Sequence, residues 1–236
     1  VTAVALVAAI YLWAQMYTSK LVTREEKNRL LGFIPMFISG VLFFGIFQQQ
    51  FTVMTIYADV RLDRHMFGWE IPPSLVQSIN PIFIVIFSAI FATMWTKLGN
   101  RQWSTPVKFG VANIVIGISL FFFLPYSGAA ANSTPMYVII LILFLFTMAE
   151  LLLSPVGNAL ATKVAPVAFP SRMMAVWMMA VAMGTSLAGS LASFYDPDDA
   201  GAENTFFISL GVVSIVLGAI LLVLSRWVVK KFSTFR

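Results

Sequence analysis

The sequence predicts an all-α polytopic membrane protein, and three observations carry that prediction. Hydrophobic residues fill 59% of the 236 positions and charged residues only 11%, where soluble domains run at about 45–50% and about 25%. Mean hydropathy is +0.88, and apolar runs of about 20 residues alternate with short polar connectors, as crossing a bilayer requires. Basic residues gather in every second connector rather than evenly along the chain. That distribution assigns the net charge of +5 to a membrane surface and not to nucleic acid. With no cysteine and a single histidine, His65, disulfide frameworks, thiol nucleophiles and the usual zinc clusters are excluded.

Seven apolar spans follow in order: residues 1–19, 31–57, 74–96, 109–126, 135–154 or on to 161, 173–194 and 205–227. The connectors between them carry the Pro, Gly and Asn that stop helices. Residues 1–20 lack an initiator Met, a basic leader and a small-residue cleavage site. They therefore read as a helix rather than a signal peptide, and the chain reads as beginning partway through something longer. Alternating the connectors places Lys20, Arg24, Lys27, Arg29, Lys97, Arg101, Lys108, Lys163, Arg172, Arg226, Lys230, Lys231 and Arg236 on one side, with only Arg61 and Arg64 on the other. The bias predicts a cytoplasmic C-terminus and an external acidic loop at 196–203.

Polar groups inside the spans are the functional candidates, because a charge at a helix centre costs about 2.5–3.5 kcal/mol on insertion scales. Glu150 stands in the fifth span. Ser154 lies four residues on, projecting to the same side, and Pro155 is expected to kink or loosen the helix end there. A structural reading, in which Glu150 pairs with a neighbouring helix to hold the bundle, competes with a binding role. In the second span, three consecutive glutamines cover about 300° of helix circumference, so at least one faces protein or water. Gln48, Thr52 and Thr55 are expected on one face with Gln49 beside it, either as hydrogen-bond glue or as cavity lining. Gln77 and Asn80 share a face in the third span, where Pro81 is expected to bend the helix and free a carbonyl. Residues 173–189 combine methionines and Trp177, a soft apolar surface, with Gly184, Ser186, Ala188 and Gly189, which permit close helix approach. Trp177 reads either as an interfacial anchor or as a pocket wall. The spacings of a nucleophile and base, a metal cluster or a phosphate loop are absent, which argues against an enzyme, and the solitary His65 is given no catalytic role.

The stretch TMAELLLSPVGNALATKVAP, residues 147–166, resembles the signature of the proton-dependent oligopeptide transporters: an acid, then SPxG, then a KxAP-like segment. Here these are Glu150, Ser154 to Gly157, and Lys163 to Pro166. FFGIFQQQFTV with IYADVRLDR, IPPSLVQSINPIFIVIF and SRMMAVWMMAVAMGTSLAG match further family segments in order.

The resemblance implies the C-terminal six-helix bundle of a major-facilitator fold, residues 23–236, preceded by one helix of an inserted hairpin, residues 1–22. It implies a proton-coupled symporter of short peptides working by alternating access in the cell membrane. Its partners would be an N-terminal six-helix half and the lipid bilayer, with protons as coupling ion, no cofactor and no nucleic acid. Glu150 would then meet the peptide ammonium or a cytoplasmic gate, with Ser154, Asn80, Gln48, Gln49 and Trp177 as further substrate contacts and Asp59 as an outer-gate acid. Two departures stand out. The family often has a glutamate where this chain has Gln48 and Gln49, and the first-helix ExxER segment tied to proton coupling belongs to the half that this chain lacks, so this chain alone is not expected to transport. Read from the residues alone, a facilitator of another solute, such as nitrate, a drug or a conjugate, and a non-transporting assembly subunit stay open.

Overall fold

Lipid offers an exposed backbone no hydrogen-bond partner, so each apolar run must close into a helix. A computed structural model describes residues 2–66 and 68–232; Val1 and Arg236, which entered the first span and the charge count, lie outside them. The helices are α1 (Thr2–Thr18), α2 (Arg24–Phe47), α3 (Val53–Val60), α4 (Pro73–Val76), α5 (Ile79–Leu98), α6 (Thr105–Leu120), α7 (Met136–Val164), α8 (Pro170–Ala192) and α9 (Ala200–Phe232). Between α3 and α4 a two-residue hairpin pairs β1 (His65–Met66) with β2 (Trp69–Glu70). Among the described residues six helical segments are long and apolar enough to cross a membrane, with α2 and α3 forming one of them. The remaining predicted span is α1, a shorter apolar helix of 17 residues, about 25 Å long at 1.5 Å per residue.

Of the two prolines expected to disturb a helix, Pro81 acts differently from expectation. Pro81 was expected to bend a helix running from residue 74, but the chain breaks at 77–78 and Pro81 falls in the first turn of α5. Its missing N–H has no intrahelical partner there in any case, so it marks a start and not a kink. Pro155 lies inside α7, and the helix runs past it to Val164. The fifth span therefore takes the longer of its two expected ends, at Ala161, and runs three residues beyond it.

Packing rests on small residues and buried polar pairs. A Cβ on Gly117 of α6 would lie 2.7 Å from the Gly211 carbonyl oxygen, and one on Gly218 of α9 would lie 2.6 Å from that of Gly110. These two glycine pairs let α6 and α9 approach backbone to backbone. Gly184 plays the predicted role against α2, where a Cβ would meet Phe44 Cβ at 2.6 Å, whereas Gly189 has no neighbour within 4 Å. Asn113 Nδ2 donates to Ser39 Oγ at 2.8 Å, and Ser214 Oγ donates to the Asn113 carbonyl at 2.7 Å, joining α2, α6 and α9 in the apolar core. At the start of α2, Thr23 and Glu26 form a reciprocal capping box, and Glu26 Oε1 also accepts from Val167 N at 2.8 Å. By contrast, α5 packs chiefly on α7, and only 11% of its most apolar window is buried.

Candidate functional site

The 3.6-residue period of α7 aligns four polar side chains on one stripe: Thr147, Glu150, Ser154 and Asn158. Each meets a different fate. Thr147 Oγ1 donates to the Leu143 carbonyl at 2.8 Å and accepts from Asn80 Nδ2 at 3.0 Å, fixing the buried Asn80 at the α5 start. That amide also adjoins the carboxylate of Glu150. Glu150 Oε2 and Ser154 Oγ are buried atoms with no hydrogen-bond partner among the described residues. Asn158 Oδ1 accepts from Trp177 Nε1 at 2.8 Å. Leaving such groups unsatisfied costs about 1–3 kcal/mol each, more for a charge, so the middle of the stripe is chemically incomplete. Glu150 and Asn80, 70 residues apart, are thus brought together, and Thr147 and Asn158, which the sequence reading did not single out, lie on the same stripe as Glu150. Their spacing of three or four from Glu150 and Ser154 was the available signal.

The glutamines turn elsewhere. Residues Gln48–Phe51 form a 3-10 turn between α2 and α3, which changes the angular spacing on which the shared face of Gln48, Thr52 and Thr55 depended. Gln48 Nε2 donates to Thr185 Oγ1 at 3.1 Å, and Gln49 Nε2 donates to the carbonyls of Gly45 and Ala188 at 3.1 and 3.2 Å. Both therefore fasten this break to α8. Thr52 Oγ1 donates to Gln49 Oε1 at 2.9 Å, whereas Thr55 accepts from Gln77 Nε2 at 2.5 Å. Gln77 and Asn80 accordingly serve different helices across the 77–78 break. Gln50, which received no role from the sequence, is 1% exposed, and neither of its amide atoms has a hydrogen-bond partner among the described residues.

Trp177 is buried in the bundle, edge-on to Phe33 and Phe44 with centroids 6.3 and 6.2 Å away and tilted against Phe109 at 5.9 Å. Its six-membered ring fills the space beside Gly157, where a Cβ would stand 2.1 Å from Trp177 Cζ2. The glycine of the SPxG segment and the tryptophan of α8 thus occupy one volume between them. The hydrogen bond from Trp177 to Asn158 joins the end of the polar stripe to this aromatic cluster.

At the opposite end of the bundle a second charged cluster forms around Arg61, Arg64 and Glu203, which the sequence had used only to count charges. Arg61 Nη2 lies 3.4 Å from Glu203 Oε2 and donates to the Pro197 carbonyl at 2.6 Å, while Nη1 donates to the Ala129 carbonyl. Glu203, fully buried, also accepts from Gly128 N at 2.9 Å and Tyr195 Oη at 3.0 Å. Burial, and then the neighbouring Glu203 carboxylate, push the Tyr195 phenol up from its ordinary value. Arg64 pairs with Glu70 at 3.0 Å and more loosely with the exposed Asp59 at 3.7 Å. Both basic residues that break the charge bias are therefore neutralised locally.

Residues 1–208 match the family model described as PTR2: POT family. The chain is 41% identical over 89% of its length to the uncharacterized transporter YclF of Bacillus subtilis (strain 168) and 36% identical over 99% to the di-/tripeptide transporter of Lactococcus lactis subsp. cremoris. It covers 42% and 48% of those proteins, so the chain spans about half the length of the curated relatives it matches. The crystal structure of a peptide transporter POT in complex with sulfate superposes on 98% of this chain and 46% of its own, with a TM-score of 0.89 at 32% identity.

Proposed function

Because the chain belongs to the POT family, we propose that it forms the C-terminal half of a proton-coupled di-/tripeptide symporter, working by alternating access against an N-terminal six-helix half. It is a multi-pass membrane protein of major-facilitator fold, and its family and structural neighbours are transporters and not enzymes. The observation that carries the proposal is the incomplete stripe on α7: a buried carboxylate oxygen of Glu150 and the Ser154 hydroxyl without partners, beside an Asn80 amide already oriented by Thr147.

A short peptide is a zwitterion with a polar backbone. Glu150 attracts its ammonium end, Asn80 and Ser154 meet peptide N–H and C=O groups without reading side chains, and cations of the other half hold the carboxylate. Trp177 on α8, and Gln48 and Gln49 from the 3-10 turn fastened to α8, then support the site, and the methionine-rich surface of α8 accommodates varied side chains. Protonation of an acid weakens its ion pair, which couples proton entry to opening. The basic end of the bundle, including the C-terminus, faces the cytoplasm, and Asp59 lies at the outer mouth.

Uptake by the complete transporter carrying Glu150→Gln tests the assignment. Removing the charge while keeping the shape eliminates a charge-assisted hydrogen bond worth about 1.5–3 kcal/mol, so KM for dialanine rises by about 10- to 150-fold. Unchanged affinity and unchanged proton coupling would refute the role of Glu150.

A further inference from the structure

A polar cavity that Glu150 does not line opens toward the end of the bundle that holds the lysines. It measures about 840 Å³ and opens between the last turns of α5, the loop after it, the start of α6 and the end of α7. Its polar and aromatic lining includes Trp95, Asn100, Gln102, Trp103, Lys108 and Lys163, and none of the described residues lining it is acidic. Lys108 is 7% exposed; its Nζ donates to Gln102 Oε1 at 2.9 Å and stands 3.8 Å from the centroid of the Trp95 ring. Gln102 Nε2 in turn donates to the Trp95 carbonyl at 2.8 Å, which holds the loop against α5.

Two demands remain unmet. Lys108 carries a buried positive charge without a carboxylate partner among the described residues, and the Trp95 indole N–H is buried without an acceptor. Both are costly away from water, and both are answered by one anion bearing several acceptor oxygens. The surroundings say what carries that anion. Trp95 and Trp103, ring centroids 6.3 Å apart, mark the depth at which aromatic residues meet headgroups. Toward the membrane centre the wall becomes apolar at Phe91 and Leu151.

We propose that this cavity binds the phosphate of an anionic phospholipid headgroup, with Lys108 and Lys163 clamping the charge, the Trp95 N–H completing its shell and the acyl chains lying along α5. On the orientation proposed above, the lipid belongs to the inner leaflet.

Native mass spectrometry of the complete transporter, purified with equal amounts of chain-matched phosphatidylglycerol and phosphatidylcholine, reads the site without reading transport. The wild-type protein retains phosphatidylglycerol preferentially. Each lysine near a headgroup contributes about fivefold, so Lys163→Gln, an exposed change that leaves the core alone, lowers the preference about fivefold, and Lys108→Gln with Lys163→Gln brings it close to parity. Lys97→Gln, on the same turn of α5 but outside the cavity, leaves the preference unchanged, and Lys108→Arg preserves it. Undiminished phosphatidylglycerol retention in Lys163→Gln and in the double variant would overturn the proposal. Retention of inorganic phosphate by the wild type without any lipid preference would overturn the lipid as its source.

Discussion

Gly157→Ala is the smallest change that tests how the polar stripe is joined to the core. The added Cβ would stand 2.1 Å from Cζ2 and 2.6 Å from Cη2 of Trp177, where ordinary contact begins at 3.4 Å. Trp177 has little room to retreat, being packed against Phe33, Phe44 and Phe109 and lying close enough to Gly40 that a Cβ there would meet its ring at 2.8 Å. Overpacking of a rigid core costs about 1–3 kcal/mol. Displacing the indole also removes its hydrogen bond to Asn158, about 1 kcal/mol, while alanine returns about 1 kcal/mol of helix propensity. The net destabilisation is therefore about 1–3 kcal/mol. At roughly 1–2 °C per kcal/mol for a transporter about twice this length, its melting temperature falls by about 1–6 °C. Trp177→Phe removes the atoms that clash, so the double variant is destabilised by less than the sum of the two single changes. A melting temperature unchanged in Gly157→Ala, or strict additivity in the double variant, refutes the shared-volume argument.

Three further outcomes follow from the same structure. Arg61→Ala leaves Glu203 buried without its counter-charge and destabilises by about 3–5 kcal/mol in denaturant or thermal unfolding, whereas Arg61→Met with Glu203→Leu recovers most of that loss; equal damage in both would remove the ion pair as the cause. Gly117→Ala places a Cβ 2.7 Å from a backbone carbonyl that cannot swing away, and destabilises by about 1–3 kcal/mol, while Gly189→Ala, with no neighbour within 4 Å, is neutral or stabilising by up to about 1 kcal/mol. Thr147→Val removes the acceptor that orients Asn80, worth about 1 kcal/mol, and raises KM for dialanine about fivefold in the complete transporter; wild-type KM at equal expression would show that Asn80 needs no such support.

How much of the site could be read beforehand differs from residue to residue. Glu150, Ser154 and Asn80 stand out because lipid makes a polar side chain in an apolar run expensive, and that cost is visible one segment at a time. Thr147 and Asn158 obey the same period, but a threonine is unremarkable in a membrane helix and Asn158 lay in what the proline suggested was a connector. Gln48 and Gln49 were equally visible as polar groups. Their partners, Thr185 and Ala188, lie about 140 positions away and are reached only through the 3-10 turn, which no periodicity announces.

From the sequence alone came the solvent, the helical class, the spans and the charge bias, because hydropathy and length are local sums set by the thickness and dielectric of a bilayer. Tertiary structure decided the pairings: Trp177 over Gly157, Arg61 with Glu203, the α6–α9 glycine contacts, and the oxygens of Glu150 and Ser154 left open. The reason is physical. A buried polar group or a close backbone contact is stabilised only by whatever the fold brings beside it, and that neighbour is chosen by packing between helices distant along the chain.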